Sequence, residues 1–93
     1  MIPKKIHYCW FGNGEKTKLA KKCIASWRKY CPDYEIIEWN EGNFDVNINP
    51  YVKMCYEQKK YAFLTDYLGL LVVLEHGGLY FDTDVEIVKN FDN

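Results

Sequence analysis

Between Leu79 and Val88 two short apolar runs meet at a pair of carboxylates, Asp82 and Asp84, with Gly77-Gly78 just upstream. Leu79 to Phe81 and Val85 to Val88 read as strand from their β-branched and aromatic content, and the glycine pair is turn chemistry. Before it, Phe63 to His76 reads as a helix that is apolar nearly all round and therefore buried, closed by the glycines as a C-cap. Strand side chains repeat every second residue, so Asp82 and Asp84 would leave one face with Cα atoms roughly 6.6 Å apart. Two hard oxygen ligands on one side of a cation leave its other positions open, as when Mg²⁺ or Mn²⁺ is held between a protein and a substrate's phosphates.

Asp-x-Asp is short, and in a solvated turn it would carry no chemistry. A calcium loop needs glycine at its sixth position and alternating polar ligands, where this chain has Ile87 and Val85. Haloacid-dehalogenase phosphatases also put Asp-x-Asp at a strand end, with the first Asp as nucleophile. Their motif opens the fold, whereas here it comes late.

The upstream chain alternates strand and helix. Lys5 to Phe11 places Ile6, Tyr8 and Trp10 on one face and His7, Cys9 and Phe11 on the other, as an inner strand covered on both sides requires. Glu15 to Cys31 switches to helical period, with Leu19, Cys23, Trp27 and Tyr30 or Cys31 on one stripe, and Pro32 stops it. The lysines and Arg28 on its other faces are a solvated surface, or a basic face for an anionic acceptor or a membrane surface. Tyr34 to Trp39 is a second strand, Asn40 to Asn49 a polar loop, and Asn49-Pro50 a helix start in which Asn49 caps and Pro50 needs no N–H. The helix it opens shows an apolar side of Tyr51, Val52, Cys55 and Tyr56. In the next helix, Asp66 is expensive to place among Phe63, Tyr67 and Leu70 unless it caps the helix or faces a ligand. Strand, helix, strand, helix, helix, strand is the order of a parallel sheet, whose ligands gather at the carboxyl ends of strands. Trp10 and Asp82 both fall at such ends, a flat ring and an acid pair suited to the base and the metal-bound phosphates of a nucleoside diphosphate.

Ninety-three residues suit a single domain, residues 1–93, that buries about 60 to 65% of its unfolded surface. Twelve basic and thirteen acidic residues leave a net charge of −1, so nothing global attracts nucleic acid. No export signal opens the chain and no apolar run reaches the ~20 residues of a membrane span, which points to the cytosol. Cys9, Cys23, Cys31 and Cys55 lack zinc-knuckle spacing and read as buried thiols.

Four motifs carry a resemblance: Ile6-His7-Tyr8-Cys9-Trp10-Phe11-Gly12, Ser26-Trp27-Arg28-Lys29-Tyr30-Cys31-Pro32-Asp33-Tyr34, Ala62-Phe63-Leu64-Thr65-Asp66-Tyr67, and Gly77-Gly78-Leu79-Tyr80-Phe81-Asp82-Thr83-Asp84-Val85-Glu86. In this order and spacing they resemble the DXD-containing sugar transferases of glycosyltransferase family 32. That family includes capsular polysaccharide and mannosyl-transferring members and is related to the large clostridial glucosylating toxins. The resemblance covers nearly the whole chain. It implies a GT-A, Rossmann-like fold with a mostly parallel sheet flanked by helices. It further implies a nucleoside-diphosphate sugar donor, a Mn²⁺ or Mg²⁺ ion, a glycan or polysaccharide acceptor, and transfer with retention at the anomeric carbon. By position, Trp10 would stack on or lie beside the nucleobase, Asp66 would hold ribose or sugar hydroxyls, Asp82 would contact sugar, ribose or metal, and Asp84 would ligate the metal directly. The location expected is cytoplasmic, with a membrane-peripheral or homo-oligomeric form as variants.

Two departures from the pattern bear on activity. Members usually follow the Asp66 motif with Ala-Arg-Leu-Asp, whereas this chain has Leu68-Gly69-Leu70-Leu71. Gly69 would share the helical face of Asp66 and lacks the arginine that reaches the donor, so Gly69→Arg is expected to strengthen donor binding if the helix accepts it. Members also continue well past Asp-x-Asp into an acceptor half, which is expected to be missing here. A truncated or degenerate binding and assembly module is therefore the alternative to an active transferase. A third is a structural fragment that folds by pairing its open strand edge.

Overall fold

The computed structural model describes residues 3–12 and 14–87. Three strands, β1 (Lys5–Cys9), β2 (Glu35–Trp39) and β3 (Leu79–Tyr80), form one parallel sheet in the order β2-β1-β3. Helix α1 (Lys18–Tyr30) links β1 to β2, and α2 (Pro50–Glu57) and α3 (Tyr61–His76) link β2 to β3. The first crossover moves to one side of β1 and the second moves back across it. Right-handed connections therefore set α1 on one face of the sheet and α3 on the other. Strand β1 is the inner strand that its two apolar faces require. Ile6 and Tyr8 join Cys23, Ile24 and Trp27 of α1, whereas Cys9 packs with Leu68 and Val72 of α3.

Local chemistry sets the helix ends. Thr17 caps α1 by accepting from the Ala20 N–H, so that helix begins later than Glu15. Asn49 caps α2 through the Val52 N–H, with Pro50 in the first turn as the sequence requires. Helix α3 ends at Gly77, where φ is +72° and an added Cβ would lie 2.7 Å from Pro3 Cγ. At Gly78 a Cβ would meet the Lys5 carbonyl oxygen at 2.5 Å, so the bare glycine lets β3 close against β1.

Three sequence expectations are corrected. Leu19 is exposed, and the buried stripe of α1 is Ala20, Cys23, Ile24 and Trp27. Helix α3 is not buried all round. The three-strand sheet covers Leu68 and Val72, α2 covers Leu64, and Phe63, Leu70 and Leu74 are left at 58, 65 and 75% exposure. Val85 to Ile87 is not strand, and Val88 lies outside the described residues. The Trp27 indole N–H donates to the Val85 carbonyl (2.7 Å) and the Ile87 N–H donates to Ser26 Oγ (3.0 Å). Both backbone groups are thus spent on α1 and are unavailable to a ladder.

Candidate donor-binding cleft

The Asp82-Thr83-Asp84 segment is a turn, closed by the Val85 N–H donating to the Asp82 carbonyl at 3.1 Å. The two carboxylates therefore do not project from one strand face. They stand on a bend whose exit is fastened to α1 by Trp27 and Ser26 and whose entry is fastened to β1 by the Phe81 N–H to the His7 carbonyl, 3.0 Å. This places them at the carboxyl end of β3, beside the carboxyl end of β1. There the chain leaves the inner strand in one direction and returns on the other side, which is where open α/β sheets bind ligands.

A cleft of about 350 Å³ occupies that position. Asp82, Thr83 and Asp84 line one side, and Cys9, Trp10 and Phe11 the end of β1. Tyr61, Ala62 and Thr65 of the first turns of α3 complete it, with Tyr80. Trp10 is half-buried, and its indole N–H donates to the Gly14 carbonyl at 2.8 Å, which fixes the ring at the rim. Glu41 supports the same rim by accepting from the Gly12 N–H and from the Tyr56 hydroxyl.

Trp10, Asp82 and Asp84 thus meet in one cleft, and Asp66 does not line it. Asp66 is exposed on α3, whose N-cap is Lys60, so it caps nothing. Its charge still reaches the cleft. Partial burial first, then the charges of Asp84 and Asp66, hold the Asp82 carboxyl above the usual carboxylate range. Burial and the nearby Asp82 charge push the Cys9 thiol up to about 12, against a hydrogen bond from Tyr80 that lowers it. No lysine or arginine lines the cleft among the described residues. Among the described residues, a phosphate there would meet the two acids of the lining, with the charge of Asp66 beyond them, and no protein cation.

The donor set fits a shared metal. Among the described residues, no group of three or more His, Cys, Asp and Glu side chains could hold an ion alone. Asp82 and Asp84 supply hard oxygens whose mutual repulsion a divalent cation would relieve, with ligand phosphates completing its shell. The four cysteines are buried and outside any disulfide, as their spacing suggests.

Sequence reasoning missed Tyr61, Ala62 and Thr65. They lie in the quoted motif or just before it, but only the packing of α3 over β3 turns them toward β1. It also missed the Gly69 contact. Gly69 is buried while Asp66 is exposed, so they do not share a face. A Cβ at Gly69 would lie 2.9 Å from Tyr80 Cδ1, and the glycine is what lets α3 settle on β3.

The family profile of the glycosyltransferase sugar-binding region containing DXD motif matches residues 17–93. The chain belongs to this family. Among solved structures, the PaToxG glycosyltransferase superposes with a TM-score of 0.77 at 26% identity, over 97% of this chain and 45% of that one. The chain therefore spans less than half the length of that glycosyltransferase. No curated protein matches it. The fold is accordingly a GT-A-like fragment, with its three-strand parallel sheet flanked by helices. Among the described residues, no helix is long and apolar enough to cross a membrane.

Proposed function

We propose that residues 1–93 form a single donor-binding unit that holds a nucleoside-diphosphate sugar through a divalent cation on Asp82 and Asp84. One observation carries the reading: an aromatic rim and an acid turn line one cleft that has no basic side chain among the described residues. Asp84 is the metal ligand, Asp82 a second ligand or a contact to sugar or ribose, and Trp10 the support for the base. Asp66, exposed on α3 outside the cleft lining, is the candidate for ribose or sugar hydroxyls of a donor that extends beyond it. Breaking the anomeric bond leaves a diphosphate anion, and Mn²⁺ or Mg²⁺ held there would stabilise it as a Lewis acid. The reaction is transfer to a glycan or polysaccharide, with retention.

A cleft without a basic side chain among the described residues also favours slow turnover. Loss of one preorganised group facing developing charge costs about 100- to 1,000-fold in rate. Residual chemistry by this chain alone is expected to be donor hydrolysis. The test is release of UDP or GDP from the corresponding nucleotide sugars, with Mn²⁺ and with chelator. Slow, chelator-sensitive release that Asp84→Ala abolishes supports the proposal. Release that ignores both removes the acid turn from it, and binding without release selects the non-catalytic module.

A further inference from the structure

His7 sits in the middle of β1 and is fully buried. The Trp39 indole, which can only donate, gives its N–H to His7 Nδ1 at 3.1 Å. The ring proton therefore rests on Nε2, which donates to the Gly77 carbonyl at 2.8 Å. The backbone carbonyl of His7 accepts the Phe81 N–H at 3.0 Å. One residue thus grips the chain on both sides of β3, at Gly77 before it and at Phe81 directly before Asp82. The grip matters because β3 pairs with β1 through only two positions, Ile6↔Leu79 and His7↔Tyr80. Around the ring stand His76 of α3, with centroids 6.1 Å apart, and the charges of Lys5 on β1 and Glu35 on β2.

We infer that His7 is a positioning residue for the acid turn, and that its Nε2–H bond to the Gly77 carbonyl fixes the placement of Asp82 and Asp84. The inference deepens the reading of the cleft as a metal and nucleotide site, and it rests on that reading for its consequence in binding. Groups that orient metal ligands from behind typically carry about 10- to 100-fold of metal affinity.

The two ring nitrogens can be tested separately. His7→Gln retains an amide N–H near Nε2 and loses the acceptor for Trp39, whereas His7→Asn retains an acceptor near Nδ1 and loses the bond to Gly77. Each loses one buried hydrogen bond, so a purely structural role predicts similar effects for both. Positioning through Nε2 predicts a split. In His7→Asn, hydrogen exchange at the Phe81 and Val85 amides should accelerate about tenfold more than in His7→Gln, and UDP or GDP binding with Mn²⁺ should weaken about tenfold while His7→Gln stays near wild type. Equal exchange in the two variants overturns the inference. If His7→Asn does not fold, Trp39→Phe decides. That variant leaves the Gly77 bond intact and should leave exchange at both amides unchanged, and acceleration there overturns the inference. Absence of nucleotide binding in the unmodified protein would defeat the reading of the cleft, and the exchange comparison would still decide positioning.

Discussion

Gly69 of α3 lies directly against the ring of Tyr80 on β3, and a Cβ built on it would come within 2.9 to 3.1 Å of three ring atoms. Gly69→Arg was expected to strengthen donor binding only if the helix accepts the side chain, and here that side chain must displace the Tyr80 ring or lift α3 from β3. Alanine would gain about 1 kcal/mol in helix propensity but lose about 1 to 3 kcal/mol to overpacking. Gly69→Ala is expected to be destabilising by roughly 1 kcal/mol in denaturant unfolding. In a Tyr80→Ala background the same change should become neutral or stabilising. A Gly69→Ala protein as stable as wild type, with no dependence on Tyr80, would contradict the packing.

Stability should depend on pH through His7. Burial chiefly, with His76 and Lys5, lowers its affinity for a proton below the ordinary 6.5, against the Gly77 carbonyl, which raises it. The unfolded chain then binds that proton more readily, so the contribution is complete above about pH 7 and is lost as pH falls through 6.5 toward the depressed value. Asp82 acts in the opposite sense at lower pH, since its raised affinity favours the folded state as it protonates. Asp82 is exposed, and solvent screening holds that effect below about 1 kcal/mol. Unfolding free energies measured between roughly pH 7.5 and 5 should fall, and the fall should flatten in His7→Gln. A wild-type profile that is flat over this range would show that His7 titrates normally.

Trp10→Ala should weaken nucleotide binding by about 1 to 3 kcal/mol, the range for base stacking on aromatic side chains. Trp10→Phe keeps a ring but loses the bond to the Gly14 carbonyl, and should retain most of the affinity. Intrinsic fluorescence titration with UDP or GDP measures both. Unchanged affinity in folded Trp10→Ala would return the ring to the core, since it packs against the cluster that holds Tyr8 and Trp27.

The order of elements and the central place of β1 were legible because strand faces and helix caps are local. Ile6 and Tyr8 alternate with His7 and Cys9, Asn49-Pro50 opens α2, and Gly77 closes α3. The meeting of Trp10 with the acid pair was legible because both end strands of a parallel sheet. The acid turn itself was not. Val85 to Ile87 carries strand composition, but the distant Trp27 and Ser26 take the Val85 carbonyl and the Ile87 N–H that a ladder would use. The exposed stripe of Phe63, Leu70 and Leu74 was likewise illegible, because periodicity shows how apolar a helix is and not how much sheet covers it. Gly69 read as a missing arginine, since the Tyr80 ring that occupies its space comes from another element.

A cation shared between the acid turn and a nucleoside diphosphate would show in calorimetric titration of Mn²⁺ into the protein with and without UDP or GDP. Two carboxylates are too few to hold the ion, so Mn²⁺ should bind at least about tenfold tighter with nucleotide present, and Asp84→Ala should lose that gain. Equal Mn²⁺ affinity with and without nucleotide, or a gain that survives Asp84→Ala, would contradict it.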